Sequence, residues 1–336
     1  METLNATLLI KNTREKLAGK DTRTLAAIHA GVTVAAGLAA TLLQFVLTEG
    51  IGNTSGLSGM GTRSILETIQ TVLQWANMVL LPFWNLGFLY VALQWARGNT
   101  PRKEDLLTGF HRAGPCLGLL LNRAVLTTLV LIISINISSF IYMMTPASAP
   151  IAQMAAEAGS DMDALMQTLT QLTEKQTLEL FYAMIPMLVI WLVLSAVILV
   201  PLLYRFRLAE YAILNHPGVR ALPAMIISAS LLRRRCWQLF KLDLRLWWYY
   251  GLKMLCVGIC YAELMLGALG ISLPIGGEAV FFVTYLLYLI ALFCVETGFR
   301  PQVETAYASA YEALMEMGPA PRKNQTIPKN VPWDEQ

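Results

Sequence analysis

The sequence predicts an all-α, polytopic membrane helix bundle. It has about six transmembrane helices, amphipathic helices at the cytosolic interface, and both termini in the cytosol. Three observations carry this. The 336 residues are 56% hydrophobic and only 14% charged, whereas soluble domains are about one quarter charged. Several apolar runs reach the roughly 20 residues needed to cross a ~30 Å hydrocarbon core. Of the 25 Lys and Arg, only Arg63 and Lys175 fall in residues 48–68, 145–179 and 270–278. Cytosolic loops retain the positive charge, so those three segments read as external. They also carry much of the acid, including Glu49, Glu67, Glu157, Asp161 and Asp163.

Residues 1–23 predict a short cytosolic helix, apolar at Leu8, Leu9 and Ile10 and basic thereafter. The run that follows, 24–47, exceeds a signal-peptide core and reads as an uncleaved first span. On it Thr33, Gly37 and Thr41 form a small-residue stripe that admits a close neighbour. The Gly- and Ser-rich stretch 49–61 predicts a loop. The second span covers 69–96, with a kink expected at Pro82. A charged turn at 97–105 leads to the third span, 116–144. The outer loop 145–179 shows helical period in its second half, and the fourth span covers 180–203. The cytosolic arm, 204–245, holds eight of the chain's Lys and Arg residues. The fifth and sixth spans are 246–269 and 279–297, which completes a transmembrane domain over 24–300. Residues 301–317 predict a separate cytosolic amphipathic helix, and 318–336, with four Pro, a disordered tail.

Charge inside a span has the most to explain. On the fifth span Lys253, Cys256, Cys260, Glu263 and Gly267 share an arc of roughly 80°. A charge near the bilayer centre costs about 2.5–3.5 kcal/mol on insertion scales. Lys253 and Glu263 lie about 15 Å apart along the axis and cannot pair with each other. They line an ion- or proton-coupled path, or each pairs on another helix, with Lys253 also near enough to the boundary to snorkel. Gln70, Gln74, Asn77 and Asn85 stripe the second span; Arg123, Thr127, Ser134 and Ser138 stripe the third. Such stripes are interhelical glue, each bond under ~1 kcal/mol, or the wall of a polar cavity. The candidate intramembrane site is therefore Glu263, Lys253, Arg123, Asn77 and Ser134. A second candidate is a membrane-surface patch of Arg233, Arg234, Arg235, Trp237, Trp247 and Trp248. Beside a membrane it suits anionic headgroups, at about 1 kcal/mol per basic residue, with an aromatic belt, rather than nucleic acid.

Catalytic chemistry finds no footing in the motifs. There is no P-loop, HExxH or dinucleotide fingerprint. Gly56-Leu57-Ser58-Gly59 matches the short string of rhomboid-type intramembrane proteases, yet that serine falls in an outer loop. Only His29 of the three His lies within a span. Cys116, Cys236, Cys256, Cys260 and Cys294 form no CxxC pair, so neither a disulfide framework nor a zinc site is expected. No cofactor is expected.

The arm also carries a resemblance. Ser228, Leu231 and Leu232, then Leu239-Phe240, Leu242 and Leu244, then Trp247, resemble the signature of a bacterial multi-pass membrane family catalogued as domain of unknown function 975. Asp105-Leu106-Leu107-Thr108-Gly109-Phe110 resembles its segment after the second span, and Tyr307 with Tyr311 its C-terminal pattern. Arg234 stands where the family has Gly, and Arg245-Leu246 where it has Ser-Phe. The resemblance implies a fold and a bacterial plasma-membrane location, and no chemistry. The resulting expectation is a non-catalytic scaffold or accessory protein that binds lipid, protein partners or its own copies. The alternative is a transporter or permease subunit with a polar path between spans two, three and five.

Overall fold

The computed structural model describes residues 5–52, 57–149, 153, 174–216, 218–262 and 277–318. Among them every regular element is helical. Helices α1 (Ala6–Leu17), α2 (Thr22–Gly52) and α3 (Leu57–Ala96) are followed by a 3-10 turn at Lys103–Leu107 and a single turn, α4 (Thr108–His111). Next come α5 (Ala113–Met143), α6 (Glu174–Phe206), α7 (Ala209–Asn215) and α8 (Ala221–Leu232). The last are α9 (Cys236–Arg245), α10 (Trp247–Cys260) and α11 (Gly277–Glu316).

Five described helices are long and apolar enough to cross a membrane: Thr22–Leu43, Thr68–Ala96, Ala113–Met143, Phe181–Asn215 and Phe282–Glu316. They leave large apolar side chains such as Val72, Val125, Leu192 and Val283 exposed, surface that suits lipid and not water. This is a membrane protein. The expected fifth span is described over α10; its continuation, including Glu263, lies outside the described residues, as do most of the outer loop and the C-terminal tail.

The chain divides into two compact units, Met1–Leu117 with Leu208–Gln336, and Gly118–Arg207. In the smaller unit the Tyr142 hydroxyl lies 2.8 Å from the carbonyl oxygens of Ala147 and Ala183, tying the end of α5 to the following turn and to α6. In the larger unit α11 packs against α2, α3 and α10. The short helices assemble around the ends of α3 and α11. Lys20 Nζ donates to the carbonyls of Gly98 and Asn99 at 2.7 and 3.0 Å, beyond the C-terminus of α3, where cations are favoured. Arg112 Nη1 does the same for the end of α7, donating to the carbonyls of Ile213 and Leu214 at 2.7 Å each.

Two elements differ from expectation. The stretch 49–61 was expected to be a loop, yet Glu49–Gly52 and Leu57–Gly61 are helical. Extending a nucleated helix gains a hydrogen bond per residue, which offsets the ~1 kcal/mol that a Gly costs. Residues 301–317 were expected to form a separate amphipathic helix after Pro301. Instead α11 runs through Pro301. Proline there removes one backbone bond, while Glu296, Arg300 and Glu304, four residues apart, bridge it through their side chains. Nor is that segment amphipathic: Val303, Thr305, Ala306, Tyr307, Ala308, Ser309, Ala310, Tyr311 and Leu314 are all buried. Its small residues let neighbours close in around it.

Between α8 and α9 the chain reverses on Arg234, the one described non-Gly residue at positive φ, 62°. A side chain in that region costs roughly 1 kcal/mol relative to Gly. Arg234→Gly is therefore expected to raise the unfolding midpoint of the purified protein by the equivalent of about 1 kcal/mol. A midpoint lowered by the substitution would show that the Arg234 side chain makes contacts worth more than the strain.

Candidate functional site

One face of α11 builds the site. Glu296 is buried, at 7% side-chain exposure, and accepts from three sides. Lys253 Nζ of α10 lies 2.7 Å from Oε1, the Tyr249 hydroxyl donates to Oε1 at 3.1 Å, and Arg300 Nη1 donates to Oε2 at 2.9 Å. Arg300 is held in turn. Its Nη2 donates to Asn85 Oδ1 of α3 at 3.0 Å, its guanidinium sits 5.0 Å from the Phe88 ring centroid, and its Nε is 3.7 Å from Glu304 Oε1. The Tyr211 hydroxyl reaches Glu304 Oε2 at 3.4 Å.

His29 of α2 completes the cluster. Arg300 Nη1 lies 3.3 Å from its Nδ1. Guanidinium only donates, so Nδ1 accepts and the proton sits on Nε2, leaving a neutral ring. That ring stacks on Trp84 at 5.6 Å with 8° between planes, and Trp84 Nε1 donates to the His29 carbonyl at 3.1 Å. Four helices thus meet on two cations, one buried carboxylate and one neutral imidazole. Beside them a cavity of about 270 Å³ is lined by Lys253, Arg300, Glu296, Asn85, Val34 and Leu292 among others.

The sequence-derived candidates distribute unevenly over this site. Lys253 enters it, paired with Glu296 on another helix. Asn77 Nδ2 donates to the Ala36 carbonyl of α2 at 3.4 Å, a helix-to-helix bond. Arg123 and Ser134 belong to the smaller unit, where Arg123 Nη2 donates to the Phe206 carbonyl and Ser134 is buried. Glu263 lies outside the described residues. Glu296 and Arg300 were not singled out from the sequence, although the signal was present: an acid within the expected sixth span, with a cation four residues on and another acid four beyond.

The surface candidates split as well. Trp237 and Trp247 are 64% and 65% exposed. Arg233 and Arg234 are exposed, while Arg235 Nη1 turns inward and donates to the Gly318 carbonyl beyond α11 at 2.7 Å. Trp248 packs edge-on against Phe299, ring centroids 4.9 Å apart. Behind the patch Tyr307 donates to Asp243, and the Tyr307 and Tyr250 hydroxyls lie 3.1 Å apart. Burial pushes the Asp243 carboxyl up to about 6, against the opposing pull of the Tyr307 hydrogen bond. Among the described residues no group of three His, Cys, Asp or Glu is placed to hold a metal ion.

Comparison with family models, with curated proteins and with solved structures finds no match for this chain.

Proposed function

We propose that this chain is a six-span protein of a bacterial plasma membrane, with both termini in the cytosol, acting as a non-catalytic accessory protein whose cytosolic arm rests on the lipid surface. The observation that carries this reading is helix α9. Leu239 and Leu242 are buried on one side of it, and Trp237, Phe240 and Leu244 are exposed on the opposite side. Trp247 follows, also exposed, at the start of α10. Gln238, Lys241 and Arg245 occupy a flank between them. A helix apolar on both faces packs one face on protein and sets the other into the headgroup–acyl boundary, with aromatic and basic side chains at that level. The charge asymmetry of the loops supports the orientation. The left-handed backbone at Arg234, where the resembled family has Gly, supports the kinship with domain of unknown function 975.

Single-cysteine variants on a background with the five native Cys replaced by Ser test it. A spin label at Trp237→Cys is expected to relax more with oxygen than with a water-soluble nickel chelate; a label at Glu104→Cys is expected to do the reverse. Glu104→Cys should also react with an impermeant maleimide only after cells are permeabilised. A Trp237 label as accessible to nickel as the Glu104 label would sink the lipid-resting arm. Labelling of Glu104→Cys in intact cells would invert the topology.

A second reading, a transporter or permease subunit, is favoured by one observation: ionised side chains line a cavity between helices of the larger unit. Its path would run past Lys253 and Glu296, with Asn85 of the second-span stripe on its wall.

A further inference from the structure

We propose that the cavity beside Lys253 is a phosphate site, taking the headgroup of an anionic phospholipid or a free phosphate ester. The hydrogen-bond inventory of its walls points to an anion. Both Glu296 oxygens already accept, from Lys253, Tyr249 and Arg300, and Asn85 Oδ1 accepts from Arg300. The donors are in surplus. A lysine ammonium has three N–H groups, and the carboxylate partner of Lys253 is Glu296. Arg300 Nη2 spends one of its two N–H groups on Asn85. Glu304, outside the lining, offsets part of the Arg300 charge from 3.7 Å, and Lys253, with one carboxylate contact at 2.7 Å, is the cation of the lining with the most N–H groups left to donate. A phosphate brings several acceptor oxygens and no need for a donor. A cation would meet two cationic side chains and a carboxylate that already accepts from three donors.

Size and depth narrow the ligand. About 270 Å³ lies just below the range of drug-sized pockets, and suits a headgroup or a small ester. Ala30, Val34 and Leu292 supply apolar wall for its carbon atoms. Lys253 lies six residues into α10 from Trp247, about 9 Å along the axis, and its side chain is 40% exposed. If Trp247 marks the lipid boundary, as the proposed function has it, Lys253 stands just beneath the headgroup level. This placement rests on that reading; the donor surplus does not.

The test uses the full chain in nanodiscs of phosphatidylcholine alone, with added phosphatidylglycerol in one arm and glycerol 3-phosphate in the other. The readout is the unfolding midpoint, together with lipid retained in native mass spectra. Lys253→Met removes the ammonium, and Val34→Phe fills the cavity while leaving every charge in place; Lys11→Met, on the exposed face of α1 and part of neither the cavity lining nor α9, is the control. The parent and Lys11→Met are expected to be stabilised in one arm. Both cavity variants are expected to need on the order of tenfold more ligand for the same shift. Stabilisation by phosphatidylglycerol alone identifies a lipid headgroup; stabilisation by glycerol 3-phosphate identifies a soluble ester. Should Lys253→Met not fold, Val34→Phe still decides. No stabilisation of the parent in either arm overturns the site. So does a response of Val34→Phe equal to that of the parent, and in that case a lipid-facing Trp237 label would still stand. An aqueous Trp237 label would remove the resting arm and leave a positive phosphate result intact.

Discussion

Glu296→Ala is expected to destabilise the protein by about 3–5 kcal/mol, the usual consequence of removing one partner from a buried ion pair. The carboxylate is the shared partner of Lys253 and Arg300. Lys253 is partly exposed and can relocate its ammonium, but the Arg300 side chain is only 12% exposed and cannot. Its remaining support is Asn85, His29 Nδ1, the Phe88 ring and Glu304 at 3.7 Å, so the substitution removes the nearer of its two carboxylates from a buried charge. Unfolding midpoints of purified Glu296→Ala, Glu296→Gln and Lys253→Met would check this. Glu296→Gln should lose somewhat less than the alanine variant, because the amide oxygen still accepts. Lys253→Met should lose least. The Glu296→Gln, Lys253→Met double variant should lose less than the sum of its parts, since both remove one contact. A Glu296→Ala protein as stable as the parent would rule out a structural role for the cluster.

Gly109→Ala and Gly87→Ala should each be as damaging, for a purely steric reason. A Cβ on Gly109 would lie 2.0 Å from the Phe83 carbonyl oxygen, and one on Gly87 would lie 1.7 Å from that of Leu106. In both cases the obstacle is backbone, so no side-chain rotation relieves it. The 103–111 segment would have to lift off α3, taking buried Leu106 with it. Overpacking ordinarily costs about 1–3 kcal/mol and occasionally more; a backbone-to-backbone clash belongs at or above the top of that range. Gly114→Ala is the control, because a Cβ there meets open space. It should be neutral or slightly stabilising, as Ala favours helix. A folded, parent-like Gly109→Ala would mean that α4 is not seated on α3.

The Gly87–Gly109 contact shows how far the sequence reached. Gly109 was marked through the segment Asp105–Phe110 by resemblance, and nothing local announces that Gly87 is its partner. The same holds for the charged cluster. Asn85 was placed on a polar stripe, Lys253 near the inner end of the fifth span, and His29 within the first span, and none of these readings named a partner. The decisive residue, Glu296, sits 43 residues from Lys253 in the chain, and Asn85 is 215 from Arg300. Helical periodicity tells which side chains share a face, and is silent on which faces meet.

Pro301 marks the opposite limit. A local rule places a helix boundary there, and the local rule is outweighed. One missing backbone bond is a small loss beside the ion pairs that straddle it and the burial of most side chains from Val303 to Leu314. What the sequence determined by itself was that the chain is helical and belongs in a membrane, because apolar run length and composition are sums over neighbouring residues. Only the tertiary structure decided that α11 is continuous, that two glycines lock α4 onto α3, and that Lys253, Arg300 and His29 gather about Glu296. Each of those depends on how closely distant helices approach, and a buried charge takes whichever counter-charge that approach brings within reach.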